Sequence, residues 1–177
     1  MYRSIGKVVA LTILLASCNG TPDKEWKAAA NNPEFLHRSI KTVTDIIVHD
    51  IFSPPVASRI YAYASIAAYE TAIQGNPKFV SLAGQVHGLE PVPTPEEGKE
   101  YCLSLASVQA TLMVGKALIF SEDKLDAFYD QIMKEFRETG MPNEIFERSI
   151  DYGNKVAAHI MDWASKDNYK QSRSFPK

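Results

Sequence analysis

A chain of 177 residues is long enough to bury one sizeable core, so a single domain is the expectation. Its 19 basic and 21 acidic side chains leave a net charge of −2, a balance that argues against nucleic acid, whose partners present a clustered basic face. Two cysteines, Cys18 and Cys102, are too few for a disulfide scaffold.

The chain starts with Arg3 and Lys7 in a short polar region, continues with an apolar run from Val8 to Leu15, and then reads Ala16-Ser17-Cys18. That order is a secretion signal. The run falls far short of the roughly 20 residues needed to span a bilayer, so it is not a permanent transmembrane anchor. Leu15-Ala16-Ser17-Cys18 resembles the lipobox of bacterial lipoproteins, which implies that Cys18 carries lipid and becomes the first residue of the mature protein; a general secretory signal ending at a chance cysteine is the other reading. Lipidation implies attachment to a membrane of the bacterial envelope, facing the periplasm or the cell surface. Removal of residues 1–17 takes Arg3 and Lys7 with it and leaves 160 residues, with 17 basic against 21 acidic side chains.

Residues 18–33 contain Gly20, Pro22 and Pro33 and read as a tether with one short helical turn, ahead of a helical domain over 34–177. From Glu34, the residues Leu36, Ile40, Val43, Ile47 and Ile51 recur at spacings of three and four, predicting a first helix that stops near Ile51. Ser53 is placed to cap a second helix with Pro54 and Pro55 at its first positions, running to Gln74 with Gly75 as its stop. Small residues on nearly every turn of that helix predict a central position. Arg59 and Glu70 on it are expected to be structural, buried polar groups that need partners from other helices.

Residues 76–95 hold four prolines and form a long connection that either packs over the core or has a job of its own. Thr94 and Glu97 match a capping box, predicting a third helix from there to about Phe120. Ser121, Glu122 and Asp123 start a fourth, whose stripe of Leu125, Phe128, Tyr129, Ile132 and Phe136 ends at Gly140. A fifth follows Pro142, carries Ile145, Ser149, Tyr152, Gly153, Val156, Ile160 and Trp163, and fades near Asp167-Asn168. No alternating strand pattern is evident. The expected fold is all-α, a bundle-like domain of five principal helices.

The four histidines, at 37, 49, 87 and 159, lack the spacing of a zinc site, so no metal site is expected. Asp45 and His49 lie one helical turn apart, where a carboxylate could orient an imidazole for acid–base work; the alternative is an exposed pair worth a few tenths of a kcal/mol. His87 sits in the long connection, as a ligand contact or a surface residue, and His159 reads as helix packing beside Trp163. Cys102, among Tyr101, Leu103 and Leu105, reads as a small buried apolar residue rather than a nucleophile.

The stretch Val48-His49-Asp50-Ile51-Phe52-Ser53-Pro54-Pro55-Val56-Ala57-Ser58-Arg59, together with Ala67–Ala72, Val114–Glu122, Ser149–Ala157 and Asp162–Tyr169, resembles the N-terminal helical region of bacterial vanadium-dependent haloperoxidase-like proteins of the type 2 phosphatidic acid phosphatase superfamily. The resemblance spans most of residues 26–177 and implies a larger all-helical fold of which this is the N-terminal part. In that superfamily vanadate or phosphate is held by Lys-x6-Arg-Pro, Pro-Ser-Gly-His and Ser-Arg-x5-His. None of the three is present: Ser58-Arg59 has no histidine at the required place, and Ser172-Arg173 reaches Lys177 before one can occur. The resemblance therefore implies an oxyanion cofactor only with the missing C-terminal half. That half, or a further copy of the chain, is the implied partner. An isolated half should expose a large apolar patch, whereas a self-contained helical lipoprotein, the rival reading, would be a binding or interaction module that unfolds cooperatively as a monomer.

Overall fold

The computed structural model describes residues 22–172, as seven helices: α1 (Pro22–Ala30), α2 (Glu34–His49), α3 (Pro54–Ala72), α4 (Leu103–Leu118), α5 (Glu122–Glu138), α6 (Asn143–Ser165) and α7 (Tyr169–Ser172). Among the described residues there is no strand, and no helix is long and apolar enough to cross a membrane. The five long helices match the elements expected from periodicity, and the fold is all-α. Residues 1–17 and Cys18 lie outside the described part.

The core is built around α4, which packs against α2, α3, α5 and α6. Its sequence, Leu103 to Leu118, has no charged residue before Lys116, so nearly every face can be buried. Here the structure departs from the expectation that α3 would be central. On α3, Ala62 and Ser65 face solvent, because small residues permit burial without demanding it. Two glycines set how closely α4 is approached. A Cβ on Gly115 would lie 2.9 Å from Val43 of α2, and one on Gly153 of α6 would lie 2.6 Å from the Ala106 carbonyl oxygen and 2.7 Å from Gln109 Cβ.

Part of the tether expected over 18–33 is helical and docked. Residues 22–30 form α1, whose Trp26 and Ala30 are buried in the core, and the Asn32 side-chain oxygen then accepts from the Glu34 amide at 3.0 Å just ahead of α2. An indole and an alanine one turn apart supply enough apolar surface to dock even a nine-residue helix.

The third helix does not start at the capping box. Residues 94–102 are non-helical, Gly98 has φ 75, and α4 starts at Leu103. The Cys102 amide donates instead to Ser149 Oγ at 2.8 Å, so a tertiary bond outcompetes the local cap. Ser121 precedes α5 as expected, yet its hydroxyl donates to Asp50 rather than capping the helix. Of the first stripe, Val43 and Ile47 are buried, but Ile51 lies beyond the end of α2 and is 79% exposed.

The connection between α3 and α4 is tied down along its length. Leu89 and Val92 are buried. The Tyr69 hydroxyl donates to the Val80 carbonyl, Trp163 Nε1 to that of His87, His159 Nε2 to that of Glu90, and the Tyr152 hydroxyl to that of Pro93, at 2.9 to 3.1 Å. The connection thus packs over the core against α3 and α6.

Candidate functional site

Polar side chains converge where the start of α3 meets the junction of α6 and α7. Arg59 donates to the Tyr63 hydroxyl at 3.1 Å and to the Asp167 carbonyl at 2.9 Å, and forms an ion pair with the Asp167 carboxylate. Tyr63 donates its hydroxyl proton to the same carboxylate. The guanidinium lies 5.2 Å from the Tyr169 ring centroid, and Trp163 meets Tyr63 edge-on at 5.4 Å. The chain can present Asp167 there because α6 ends at Ser165 and Asn168 adopts φ 63, while the Tyr169 amide donates to Asp167 Oδ1 to start α7.

Arg59 is only partly buried, with 26% of its side chain exposed, against the expectation of a buried group. Leaving part of this side chain open to solvent lowers the cost of desolvating its charge. Its partner comes from the α6–α7 junction. Glu70 is fully buried, and its partners come from the connection: Oε2 accepts from the Ser81 hydroxyl at 2.7 Å and Oε1 from the Leu82 amide at 2.6 Å. A buried carboxylate with two donors is satisfied, and here it holds the connection.

Asp45 and His49 are both exposed, and Lys41 Nζ lies 2.6 and 2.9 Å from the two Asp45 oxygens. The residue that builds structure at this end of α2 is Asp50, next in sequence to His49. Its carboxylate accepts from the amides of Phe120 and Ser121, at 2.8 and 3.1 Å, and from the Ser121 hydroxyl. Burial raises its pKa, but the bonds from Ser121 and Phe120 outweigh that and hold it below the ordinary carboxylate value. Cys102 is buried, and burial pushes its thiol up, away from nucleophilic form.

No family model matches the chain, and no curated protein does. Among solved structures it is similar to a bacterial vanadium-dependent iodoperoxidase, at 46% identity and a TM-score of 0.75. In sequence and fold the chain is similar to part of that haloperoxidase. The match covers 82% of this chain but 34% of that one, so this chain spans about a third of the length of the structure it resembles.

The described residues do not fit a vanadate or phosphate oxyanion. Such an ion needs cationic side chains free to converge on it, but the four arginines here are each engaged by a carboxylate: Arg38 by Glu135, Arg59 by Asp167, Arg137 by Glu147 and Arg148 by Glu144. His159 is bound to the connection, while His37, His49 and His87 are exposed. Among the described residues no three His, Cys, Asp or Glu side chains come together as metal ligands.

Proposed function

We propose that this chain is the N-terminal helical portion of a lipid-anchored, vanadium-dependent haloperoxidase-like protein, and that alone it oxidises no halide. The unequal match carries the reading: close identity over most of this chain, yet only a third of the solved iodoperoxidase. The absent oxyanion motifs and the engaged arginines support the same view. The helices then act as a buttress, with Arg59 and Glu70 fixing the α6–α7 junction and the connection, while lipid on Cys18 would hold the protein at a membrane of the bacterial envelope.

Purified chain incubated with orthovanadate, iodide and hydrogen peroxide is expected to oxidise iodide no faster than a protein-free control; vanadate-dependent turnover would refute the inactivity. The intact mass of the protein from its own bacterial membranes tests the rest. A product heavier than the 160-residue lipidated chain supports a portion of a longer protein. A mass equal to that of the lipidated chain favours the second reading, a self-contained helical binding module. Buried Phe136, Ile60, Leu105 and Ile160 in one continuous core are what that second reading draws on.

A further inference from the structure

At one end of the bundle α2 and α4 stop, α3 and α5 start, and α6 gives way to α7. Large apolar side chains face outward there: Val48 is 71% exposed, Ile51 79% and Phe120 61%. They lie on two segments that the structure joins. The Phe120 ring stacks on Phe52 at 4.8 Å, the Ile51 amide donates to the Val48 carbonyl at 3.2 Å, and Asp50 joins the two segments by accepting from the Phe120 amide. Gathered apolar side chains of this size mark a surface that contacts something.

The backbone adds a second sign. Ile51 sits at φ 53, a left-handed conformation that β-branched residues rarely adopt. Strain of this kind persists where neighbouring bonds over-determine it, and it gathers at functional surfaces. Here the Asp50 amide bonds to the Ile46 carbonyl and the Phe52 amide to that of Ile47, holding Ile51 outward between them.

We propose that Val48, Ile51, Phe52 and Phe120 seat an apolar helix face from the remainder of the haloperoxidase-like fold, the part that supplies the oxyanion ligands. The inference rests on the functional reading above and adds where the two parts meet. Two observations choose this occupant. The solved iodoperoxidase has about two thirds of its chain outside the match, and that polypeptide must pack somewhere on the matched third. The last described helix also starts near the end of α4: the Tyr169 hydroxyl donates to the Leu118 carbonyl at 3.1 Å, two residues before Phe120. The start of α7 therefore lies within a side chain's reach of the α4 end that leads to Phe120. The other apolar exposure, at Phe79 and Val80, lies on the connection beyond the opposite end of α3.

The test is site-specific labelling in a Cys18→Ser background, where Cys102 is buried and silent. Val48→Cys and Phe79→Cys are each made in the full chain and in a chimera in which this chain replaces the matched third of the iodoperoxidase. Maleimide labelling at position 48 is expected to slow at least tenfold in the chimera, with position 79 unchanged. A chimera that folds and oxidises iodide while position 48 stays fully reactive overturns this inference and leaves the functional reading standing. A chimera that does not fold overturns both. Slow labelling of position 48 in the full chain itself, relieved by dilution, identifies a second copy as the occupant and overturns it too.

Discussion

Gly153→Ala tests whether close approach of α4 and α6 organises this fold. The added methyl would meet the Ala106 carbonyl oxygen at 2.6 Å, Gln109 Cβ at 2.7 Å and Gln109 Cγ at 2.9 Å. Comfortable non-bonded contact begins near ~3.5 Å, so the helices must part by a substantial fraction of an ångström. Parting them also strains the bond from Gln109 Nε2 to Asn154 Oδ1, now 2.7 Å. Overpacking a core costs about 1–3 kcal/mol, and a backbone obstacle places this case near 3. The better helix propensity of alanine returns about 1 kcal/mol. The net loss of about 2 kcal/mol lowers Tm by about 4–8 °C for a domain of this size. Thermal unfolding of the purified chain by circular dichroism at 222 nm measures it. Gly115→Ala is the internal comparison: its obstacle is a Val43 methyl at 2.9 Å, which can rotate away, so its Tm should fall less. A Gly153→Ala protein that melts at or above the parent temperature would refute the reasoning, since no tight backbone contact would then exist.

Glu70→Ala removes both acceptors from Ser81 and Leu82, so amide exchange at Leu82 should accelerate and proteolysis within 76–95 should become faster, with a loss of about 1–3 kcal/mol in global stability. Glu135 is held at about 2, below its ordinary 4.5, chiefly by the hydrogen-bonded Arg38 guanidinium. Because the folded value is depressed, its contribution is complete above pH 4.5 and is lost as pH falls towards 2; acid titration of stability should show Glu135→Gln to be less acid-sensitive than the parent over that window. Ile51→Asn relieves a left-handed β-branched residue and should raise the Tm of the isolated chain, by about 1 kcal/mol in stability. Iodoacetamide should leave Cys102 unmodified until denaturant opens the core, which mass spectrometry after brief exposure reads directly.

The helix inventory was legible in the sequence because amphipathic stripes such as Leu125, Ile132 and Phe136, and the charge-free run of α4, are local properties of a 3.6-residue period. The resemblance carried by Val48–Arg59 was legible too, and the solved iodoperoxidase bears it out. The start of α4 was misplaced because the Thr94–Glu97 signal is local, whereas the bond from the Cys102 amide to Ser149 joins residues 47 apart. The burial of Trp26 and the exposure of Ile51 were missed for a related reason: periodicity says which residues share a face, but not whether a neighbour arrives to cover it.

The sequence by itself determined an all-helical chain, the residues that stripe each helix, and the absence of the three oxyanion motifs, since all of these depend on the order of nearby residues. Only the tertiary structure decided that α4 is the centre, that Glu70 grips the connection and Arg59 the α6–α7 junction, and that the apolar end at Val48, Ile51 and Phe120 stays open. Those outcomes depend on which distant segments meet. A partner such as Asp167, 108 residues from Arg59, leaves no trace in the local pattern that spacing can read.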